Sequence, residues 1–225
     1  MVTIALVPAA GFGTRFGDAG PKALVLLAGR PLLLRALDSL FASGRVDRAV
    51  VAVPAEFQDR FEAALARYPF PVTMAAGGRS RKESVAHALA AAAAGPKDFV
   101  CVHDAARPLV DPVEVAAVVD AAEETGAAVA CFSVIETIKR VEVGRIRETV
   151  PREDLAAATT PQVFRASLLA EAYEREGKRD VTDDSELVER TGVAVRVVLT
   201  SRWNIKITYP EDLAVAEAFL SRKGA

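Results

Sequence analysis

The sequence predicts a single α/β domain over residues 1–225, with a Rossmann-like, mostly parallel sheet, helices on both faces and an extended β-hairpin arm. Short apolar runs of the buried-strand type alternate with helical segments up to about residue 132, and this order produces parallel strands joined by crossover helices. The chain has 225 residues, 51% of them hydrophobic, which suits one compact domain with a full core. Beyond residue 133 two strand-like segments separated by Gly144 indicate an exposed hairpin.

The first part of the chain supplies the alternating strands and helices. We predict strands at residues 4–7, 49–53, 72–75, 99–102 and 127–132. We predict helices at residues 32–41, 56–67, 80–94 and 112–124. Pro31 and Pro112 begin two of these helices, as expected of proline at the first helical position. Ser80 is followed by Glu83 at capping-box spacing and opens a third.

The arm, at about residues 133–160, contains few residues suited to a core. Residues 137–143 and 145–150 alternate between apolar and polar side chains, with Gly144 at the turn. Because a hairpin alone in water is only marginally stable, we expect it to pack against a twin subunit. Helical patterns resume at 166–176 and near 184–191, a late strand is predicted at 193–199, and Pro210 starts the last helix with acidic residues at its N-terminus.

A glycine-rich loop follows the first strand and carries two cations. Gly11, Gly13 and Gly17 let the backbone approach an anion closely and direct N–H groups at it. Arg15 and Lys22 add fixed positive charge for a triphosphate and for the charge that develops on a reacting phosphorus. The loop therefore predicts a nucleotidyltransferase, with a tight turn bearing surface cations as the structural alternative.

Two commoner phosphate loops do not fit this segment. The dinucleotide fingerprint needs a third glycine where Phe16 stands, and the second strand ends at residues 53–55 without the carboxylate that would bind a ribose. The ATPase loop needs Gly-Lys-Ser/Thr, but Lys22 lies between Pro21 and Ala23. Neither a dinucleotide-binding domain nor a P-loop ATPase is predicted.

Composition limits the partners that this chain can have. The formal net charge is -2, so no general electrostatic attraction for nucleic acid is expected. Cys101 and Cys131 lie in apolar strand-like runs without a C-x-x-C pair, which indicates buried thiols in a reducing compartment and no zinc site. Residues 1–7 are too short for a signal peptide and lack its basic leader, and no uninterrupted apolar run is long enough to cross a membrane. We predict a soluble cytoplasmic protein that contacts neither membranes nor nucleic acid.

Polar and charged residues gather where predicted strands end. Besides the first loop, these positions are residues 77–81, the pair Asp104 and Arg107, and residues 204–206. In open α/β sheets ligands bind at the carboxyl ends of the strands. Each group has a structural alternative: a plain turn at 77–78, a local ion pair between Asp104 and Arg107, a snorkelling side chain at Lys206. Four strand ends carrying charge nevertheless favour one binding site.

Several short motifs occur along the chain in a specific order and spacing. They lie at residues 8–15, 21–22, 77–78 with 84–85, 103–108, 137–139, 160–162, 182–184 and 204–208. In this combination the sequence resembles the 2-C-methyl-D-erythritol 4-phosphate cytidylyltransferase family over nearly its whole length. No single motif among them would be specific.

The resemblance implies an activity and partners. In that family the phosphate of 2-C-methyl-D-erythritol 4-phosphate attacks the α-phosphorus of CTP, so CMP is transferred, pyrophosphate leaves and a CDP-alcohol forms, a step of non-mevalonate isoprenoid precursor synthesis. No covalent enzyme intermediate is implied. Mg²⁺, or another divalent cation, would accompany CTP and bridge phosphate oxygens. The implied assembly is a homodimer with exchanged hairpin arms.

The resemblance also implies roles for individual residues. The implied catalytic cations are Arg15, Lys22 and Lys206. The implied CTP-binding residues are Ala9, Ala10, Gly11, Gly13, Gly78, Arg79, Ser84 and Asp104. The implied residues of the sugar-alcohol phosphate site are Asp104, Arg107, Thr137, Arg152, Thr160 and Thr182. No residue is a certain metal ligand, and Asp104 is the candidate.

The chain departs from the family pattern at three places, and two alternative functions stay open. Arg79 and Glu136 stand where relatives often have Asp, and residues 185–186 are Ser-Glu where Ala-Ser is expected. A ribitol 5-phosphate cytidylyltransferase would share the glycine-rich loop and the Thr-Pro-Gln segment, whereas residues 104–107 and 182–184 favour the first function. A non-catalytic nucleotide-binding regulator is disfavoured, because a sensor does not need the cations of the first loop to stabilise a transition state.

Overall fold

The structure is a computed structural model that describes residues 1–11, 20–176 and 181–223. The strands there are β1 Thr3–Pro8, β2 Leu26–Leu27, β3 Arg30–Pro31, β4 Arg48–Val53, β5 Val72–Ala76, β6 Phe99–Val102, β7 Ala127–Ser133, β8 Ile138–Glu142, β9 Arg145–Val150, β10 Ala156–Arg165 and β11 Arg196–Leu199. The α-helices are α1 Leu32–Ala42, α2 Gln58–Leu65, α3 Arg81–Ala92, α4 Pro112–Thr125, α5 Ala166–Glu176, α6 Asp184–Arg190 and α7 Glu211–Lys223. Short 3₁₀ turns lie at Lys22–Leu24 and Ala55–Phe57.

Seven strands form one mixed, mostly parallel sheet in the order β11-β7-β10-β6-β1-β4-β5. The run β6-β1-β4-β5 is parallel, and β11 is parallel to β7. Strand β10 is antiparallel to both of its neighbours, β6 and β7. The predicted α/β class with a mostly parallel sheet is confirmed, and the buried antiparallel strand is an element that the pattern did not predict.

Alternate residues of the sheet face two separate helical layers, as the prediction of helices on both faces required. In β1, Ala5 and Val7 face the cluster that contains residues of α1 and α4. Ile4 and Leu6 face the cluster that contains residues of α3, α5 and α6. All four side chains are completely buried, which explains why this strand is apolar throughout rather than alternating.

The predicted helix starts lie close to the observed ones, with two differences in detail. Pro112 occupies the first turn of α4 after the N-cap Asp111, but Pro31 is the N-cap of α1 and not its first residue. The Ser80 hydroxyl accepts from the Glu83 N–H at 3.1 Å, as in a capping box. The Glu83 carboxylate then accepts from the N–H of Arg79 at 2.7 Å rather than from Ser80, so the cap extends one residue into the preceding loop.

The hairpin of β8 and β9 forms a two-stranded sheet of its own. Its turn has positive φ at Val143 and Gly144, the conformation of a two-residue hairpin turn. Val141, Val143 and Ile146 leave 59%, 96% and 64% of their surface exposed. The segment that leaves the main sheet is shorter than the predicted arm at 133–160, because Ala156 still pairs with Ser133 inside that sheet.

Two further predictions concern thiols and membranes. Cys101 and Cys131 are buried free cysteines, as predicted, and burial raises their thiol pKa values to about 12 and about 11. Within residues 1–11, 20–176 and 181–223, no helix combines the length and apolarity needed to cross a membrane. The cytoplasmic location stays a prediction.

Candidate active site

A cavity of about 490 Å³ opens at the carboxyl ends of β1, β5 and β6, where the sequence predicted a site. Five segments border it: the end of β1, the 3₁₀ turn at Lys22–Leu24, the loop into α3, the loop after β6 and the segment before α7. The lining residues are Pro8, Ala9, Ala10, Gly11, Lys22, Ala23, Gly78, Arg79, Ser80, Arg81, Ser84, Asp104, Ala105, Ala106, Lys206 and Thr208.

The start of the glycine-rich loop forms one wall of this cavity. Ala9, Ala10 and Gly11, predicted to bind CTP, all line it. The Ala9 N–H donates to the carbonyl of Ala52 at 2.9 Å, which holds the wall against β4. The predicted residues Gly13 and Arg15 lie at positions 12–19, outside the described residues.

Lys22 reaches the cavity from a short 3₁₀ turn. The extended Pro21 precedes this turn, and the N–H of Lys22 donates to the carbonyl of Gly11 at 3.3 Å. The Lys22 ammonium donates to the carbonyl of Ile207 at 2.8 Å, next to Lys206 in the chain. Two lysines from opposite ends of the sequence therefore meet at one side of the cavity.

The two glycines after β5 are required by close packing. A Cβ at Gly77 would overlap the Cβ of Ala10 and lie 2.9 Å from the carbonyl oxygen of Val53. A Cβ at Gly78 would overlap the Glu83 side chain and lie 2.8 Å from its carbonyl carbon. This loop is therefore more than a plain turn, because its backbone presses against both the glycine-rich wall and helix α3.

Ser84 and Arg79 complete this side of the cavity. The Gly78 N–H donates to the Ser84 hydroxyl at 3.0 Å, and that hydroxyl donates to the Ser80 carbonyl at 2.9 Å. Gly78 thus uses its N–H inside the protein, and this bond fixes the loop that lines the cavity. Arg79 lines the cavity with an exposed side chain.

Asp104 is buried between cations at the bottom of the cavity. Its Oδ1 lies 2.7 Å from Arg81 Nε, and its Oδ2 lies 2.8 Å from Lys206 Nζ and 3.7 Å from Arg107 Nε. Burial by itself would raise the pKa of this carboxyl, but the charges of Arg81 and Lys206 outweigh burial and hold the pKa well below its usual range. Asp104 is ionised, and in this state it neutralises Lys206.

Arg81 is a site residue that the sequence-based assignment left out. Its NH1 lies 2.7 Å from Oδ2 of Asp184, whose Oδ1 accepts from the Tyr173 hydroxyl at 2.6 Å. Burial lowers the pKa of Arg81, but its two carboxylate partners outweigh this and leave the pKa raised. The signal that could have identified it is its position directly after the N-cap Ser80, because the first turn of a helix opening at a strand end faces the ligand.

Thr160, predicted to contact substrate, is buried behind the cavity. Its Oγ1 accepts from the Asp104 N–H at 3.1 Å and lies 3.1 Å from Nδ1 of His103. The other ring nitrogen of His103, Nε2, lies 3.1 Å from the carbonyl of Arg107, which can only accept. His103 therefore carries its proton on Nε2 and accepts from the Thr160 hydroxyl, and burial lowers its pKa to about 4.

This histidine predicts how stability depends on pH. The unfolded chain binds a proton at His103 below about pH 6.5, whereas the folded protein binds it only near pH 4. Since the unfolded state holds more protons in this window, the free energy of unfolding should fall by roughly 3 kcal/mol from pH 6.5 to 4. Urea unfolding at several pH values would measure it.

A matched pair of variants isolates the contribution of His103. His103→Gln keeps a donor and an acceptor on the side chain but does not titrate, so the slope between pH 6.5 and 4 should flatten. His87→Gln, the same substitution at the exposed histidine of α3, is the matched control for the change of side chain. An unchanged slope in the His103 variant would assign the acid sensitivity to other groups. Asp104 is distinct, because its lowered pKa removes stability only below about pH 3.8.

Arg107, predicted to bind substrate, lies behind Asp104 and is not among the lining residues. Its NH1 donates to the carbonyl of Asn204 at 2.8 Å. The Asn204 side chain donates to the carbonyl of Thr160 at 2.7 Å, and the Ile207 N–H donates to the carbonyl of Ala106 at 2.8 Å. The segment that carries Lys206 is therefore fastened to the loop after β6 on both sides of the lysine.

Three further predicted substrate contacts do not line this cavity. Thr137 and Arg152 are exposed beside the hairpin, and the Arg152 guanidinium donates to the carbonyl of Ile135. Thr182 is exposed before α6, where its N–H lies 3.2 Å from a carboxylate oxygen of Glu186. Their assigned roles stay predictions.

The predicted divalent cation finds no cage of protein ligands in the part of the chain that the structure describes, where no group of three or more His, Cys, Asp or Glu side chains could hold one. Asp104 supplies the carboxylate among the described lining residues, but both its oxygens are paired with cations. The donor set alone does not fit a resident metal, so a cation at this site would need phosphate oxygens as ligands.

Comparisons with known proteins agree with this geometry. The chain matches the family model described as IspD: 2-C-methyl-D-erythritol 4-phosphate cytidylyltransferase over residues 3–222. It is 42% identical to the enzyme so named from Rhodopirellula baltica, over 96% of this chain and 93% of that one. It is also 42% identical to the enzyme so named from Solibacter usitatus, over 100% of this chain and 98% of that one.

Solved structures show the same likeness. The 2-C-methyl-D-erythritol 4-phosphate cytidylyltransferase from Thermus thermophilus is 36% identical, with a TM-score of 0.77 over 97% of this chain and 98% of that one. The 4-diphosphocytidyl-2C-methyl-D-erythritol synthase from Anaerococcus prevotii has a TM-score of 0.85 at 26% identity, over 98% of both chains. This chain therefore belongs to the 2-C-methyl-D-erythritol 4-phosphate cytidylyltransferase family and is a cytidylyltransferase.

Proposed function

We propose that this protein transfers CMP from CTP to 2-C-methyl-D-erythritol 4-phosphate, releasing pyrophosphate and forming the CDP-alcohol of non-mevalonate isoprenoid synthesis. Family membership supports the reaction. The observation that carries it is the meeting of Lys22, Lys206 and Arg81 in one cavity at the carboxyl end of the sheet. Its volume of about 490 Å³ is that of a small-molecule site.

The reaction needs positioning and charge rather than a covalent intermediate. A phosphate oxygen of the sugar alcohol attacks the α-phosphorus of CTP, the bond to the pyrophosphate oxygen breaks, and negative charge spreads over the phosphoryl oxygens. Lys22 and Lys206 supply fixed positive charge at that point, together with Arg15, whose place in the site rests on the sequence. Because the nucleophile belongs to the substrate, no side chain has to carry the CMP group as a covalent intermediate.

The wall formed by the glycine-rich loop and the loop after β5 is proposed to hold the nucleoside. Ala9 to Gly11 and Gly78 present backbone groups with little side-chain bulk, and Ser84 fixes the loop between them. The Gly78 carbonyl can accept a hydrogen bond from the cytosine amino group. Uracil has a carbonyl at that position, so two acceptors would face each other.

This wall predicts base selectivity. We expect CTP to support turnover about a hundredfold faster than UTP, since the mismatched base leaves buried polar groups unpaired. ATP and GTP should not support turnover, because a purine base is too large for the space beside this wall. Pyrophosphate release with each nucleotide measures this selectivity. The variant Arg79→Asp introduces the residue common in relatives and tests whether Arg79 affects the choice of base. Equal rates with UTP and CTP would show that the base is bound elsewhere.

Pyrophosphate release with different alcohols tests the function itself. We expect turnover with CTP and 2-C-methyl-D-erythritol 4-phosphate and none with CTP and ribitol 5-phosphate. Turnover only with ribitol 5-phosphate would assign the related cytidylyltransferase activity. Binding of CTP without turnover on either alcohol would identify a nucleotide-binding regulator instead.

The remaining parts of the proposal concern the metal and the assembly. A divalent cation, with Mg²⁺ as the expected ion, would enter with CTP and neutralise charge on its phosphate oxygens. We propose one nucleotidyltransferase domain over residues 1–225, with the arm at about 133–160, and a homodimer in which each arm lies over the other subunit. The exposed apolar side chains of the hairpin support this, since a partner would cover them.

A further inference from the structure

We propose that Arg107 is a positioning residue, which anchors the segment bearing Lys206 and pairs with Asp104 when Lys206 turns from that carboxylate to the substrate phosphates. This inference rests on the proposed function, because it assigns Lys206 to the phosphates. It replaces the predicted direct contact between Arg107 and substrate. Three features of the structure carry it: the place of Arg107, its unused donor and the charge on Asp104.

The place of Arg107 is behind the cavity rather than in it. Its side chain is 14% exposed and its NH1 is occupied by the carbonyl of Asn204 at 2.8 Å. That carbonyl lies two residues before Lys206, and the Ile207 N–H, one residue after Lys206, donates to the carbonyl of Ala106. Arg107 therefore fixes where the lysine emerges from the backbone without itself facing a ligand.

The unused donor is Arg107 Nε. It is buried and has no hydrogen-bond partner among the described residues. Its nearest carboxylate atom is Asp104 Oδ2 at 3.7 Å, which is too far for a hydrogen bond but close enough that a shift of about 1 Å would make one. A buried N–H left unpaired is costly, so its retention points to a second state in which it is paired.

The charge on Asp104 explains what that second state is. Asp104 Oδ2 lies 2.8 Å from Lys206 Nζ, so this carboxylate neutralises the lysine. When Lys206 turns to phosphate oxygens, Oδ2 would be left buried without a hydrogen-bond donor, and an unsatisfied buried acceptor on a charged group is costly. Arg107 Nε faces the same oxygen, while Arg81 keeps Oδ1. Arg107 thus lowers the cost of releasing Lys206 to the substrate.

The test is a double-mutant cycle between Arg107 and Lys206. We expect Arg107→Met to lower kcat by about tenfold or more while KM for the sugar-alcohol phosphate changes by less than about threefold, since the lost interaction is not with that substrate. In the Lys206→Ala background, Arg107→Met should add almost nothing, because its effect is exerted through the lysine. Arg175→Met, at an exposed ion-paired arginine of α5, is the matched control and should leave turnover unchanged.

A conservative variant separates this role from a general loss of structure. Arg107→Lys keeps a cation near Asp104, but an ammonium lacks the planar fork of N–H groups with which a guanidinium can also bind the Asn204 carbonyl. We therefore expect a kcat between those of Arg107→Met and the unmodified protein. If Arg107→Met does not fold, Arg107→Lys carries the cycle alone, with a smaller loss in kcat that again disappears in the Lys206→Ala background.

Two results would overturn the inference. A raised KM for the sugar-alcohol phosphate with unchanged kcat would mean that Arg107 binds substrate directly. Multiplicative losses in the double variant would mean that Arg107 acts independently of Lys206. Both differ from failure of the proposed function, in which the unmodified protein would release no pyrophosphate from CTP and this alcohol.

Discussion

Replacing Lys22 by alanine is expected to lower kcat for pyrophosphate release about a hundredfold, without loss of the fold. The Lys22 ammonium lines the cavity, and its hydrogen bond to the Ile207 carbonyl places it beside the segment of Lys206. Loss of one fixed charge from a phosphoryl-transfer transition state costs roughly 3 kcal/mol, which is about a hundredfold in rate. Steady-state kinetics with CTP and 2-C-methyl-D-erythritol 4-phosphate would give the number.

Controls for this variant come from the same chain. Lys97→Ala removes an exposed lysine between α3 and β6 and should leave kcat unchanged. Urea unfolding should give similar midpoints for the Lys22 variant and the unmodified protein, since the lysine lies at the edge of a cavity and not in the core. Near-normal turnover of Lys22→Ala would contradict the proposed mechanism. Arg15→Ala is predicted to be comparably slow, on the basis of the sequence alone.

The fold was largely predictable because burial on both faces leaves a clear mark on a parallel strand. Residues 4–7 read as an uninterrupted apolar run, and both faces of that run are covered by helices. Strand β10 was missed because its first half consists of alanines and threonines and it contains Pro161, which lacks an N–H. Its ladder with β7 shifts register between Ala158 and Gln162, so the strand has no regular alternation to detect.

Residues at the ends of strands made part of the site predictable, whereas ion pairs between distant residues were not predictable. Lys22, Asp104 and Lys206 follow different strands, and the sheet brings them to one cavity as expected. The bridge from Arg81 to Asp184 spans 103 positions in the chain. Such a pairing depends on which helices become neighbours, and one sequence does not specify that.

The role proposed for the arm depends on the proposed homodimer. Its base is tied to its own subunit, since Arg152 donates to the carbonyl of Ile135 and Glu136 lies 2.8 Å from Arg202. Its tip is not, and Val143 there is 96% exposed. Thr137 and Arg152 are also exposed, away from the lining of their own cavity. These facts fit an arm that delivers its polar residues to a partner subunit.

Complementation between two inactive variants is expected if the arm completes the partner's site. A subunit with Arg152→Ala carries a defective arm, so it disables the pocket of its partner. A subunit with Lys22→Ala disables its own pocket. In a mixed dimer both changes fall on one pocket and leave the other intact. After unfolding and refolding together, random pairing should restore about a quarter of the unmodified activity, because half of the dimers are mixed and each has one good pocket.

The matched control for this complementation mixes Lys22→Ala with Lys206→Ala. Both of these side chains line the same cavity, so every pocket of a mixed dimer keeps a defect and no activity should return. Mixed dimers can be verified in both experiments by a tag on one subunit. Absence of rescue in the mixture of Arg152→Ala and Lys22→Ala would then mean that each pocket is built within one chain and that the arm only joins the subunits.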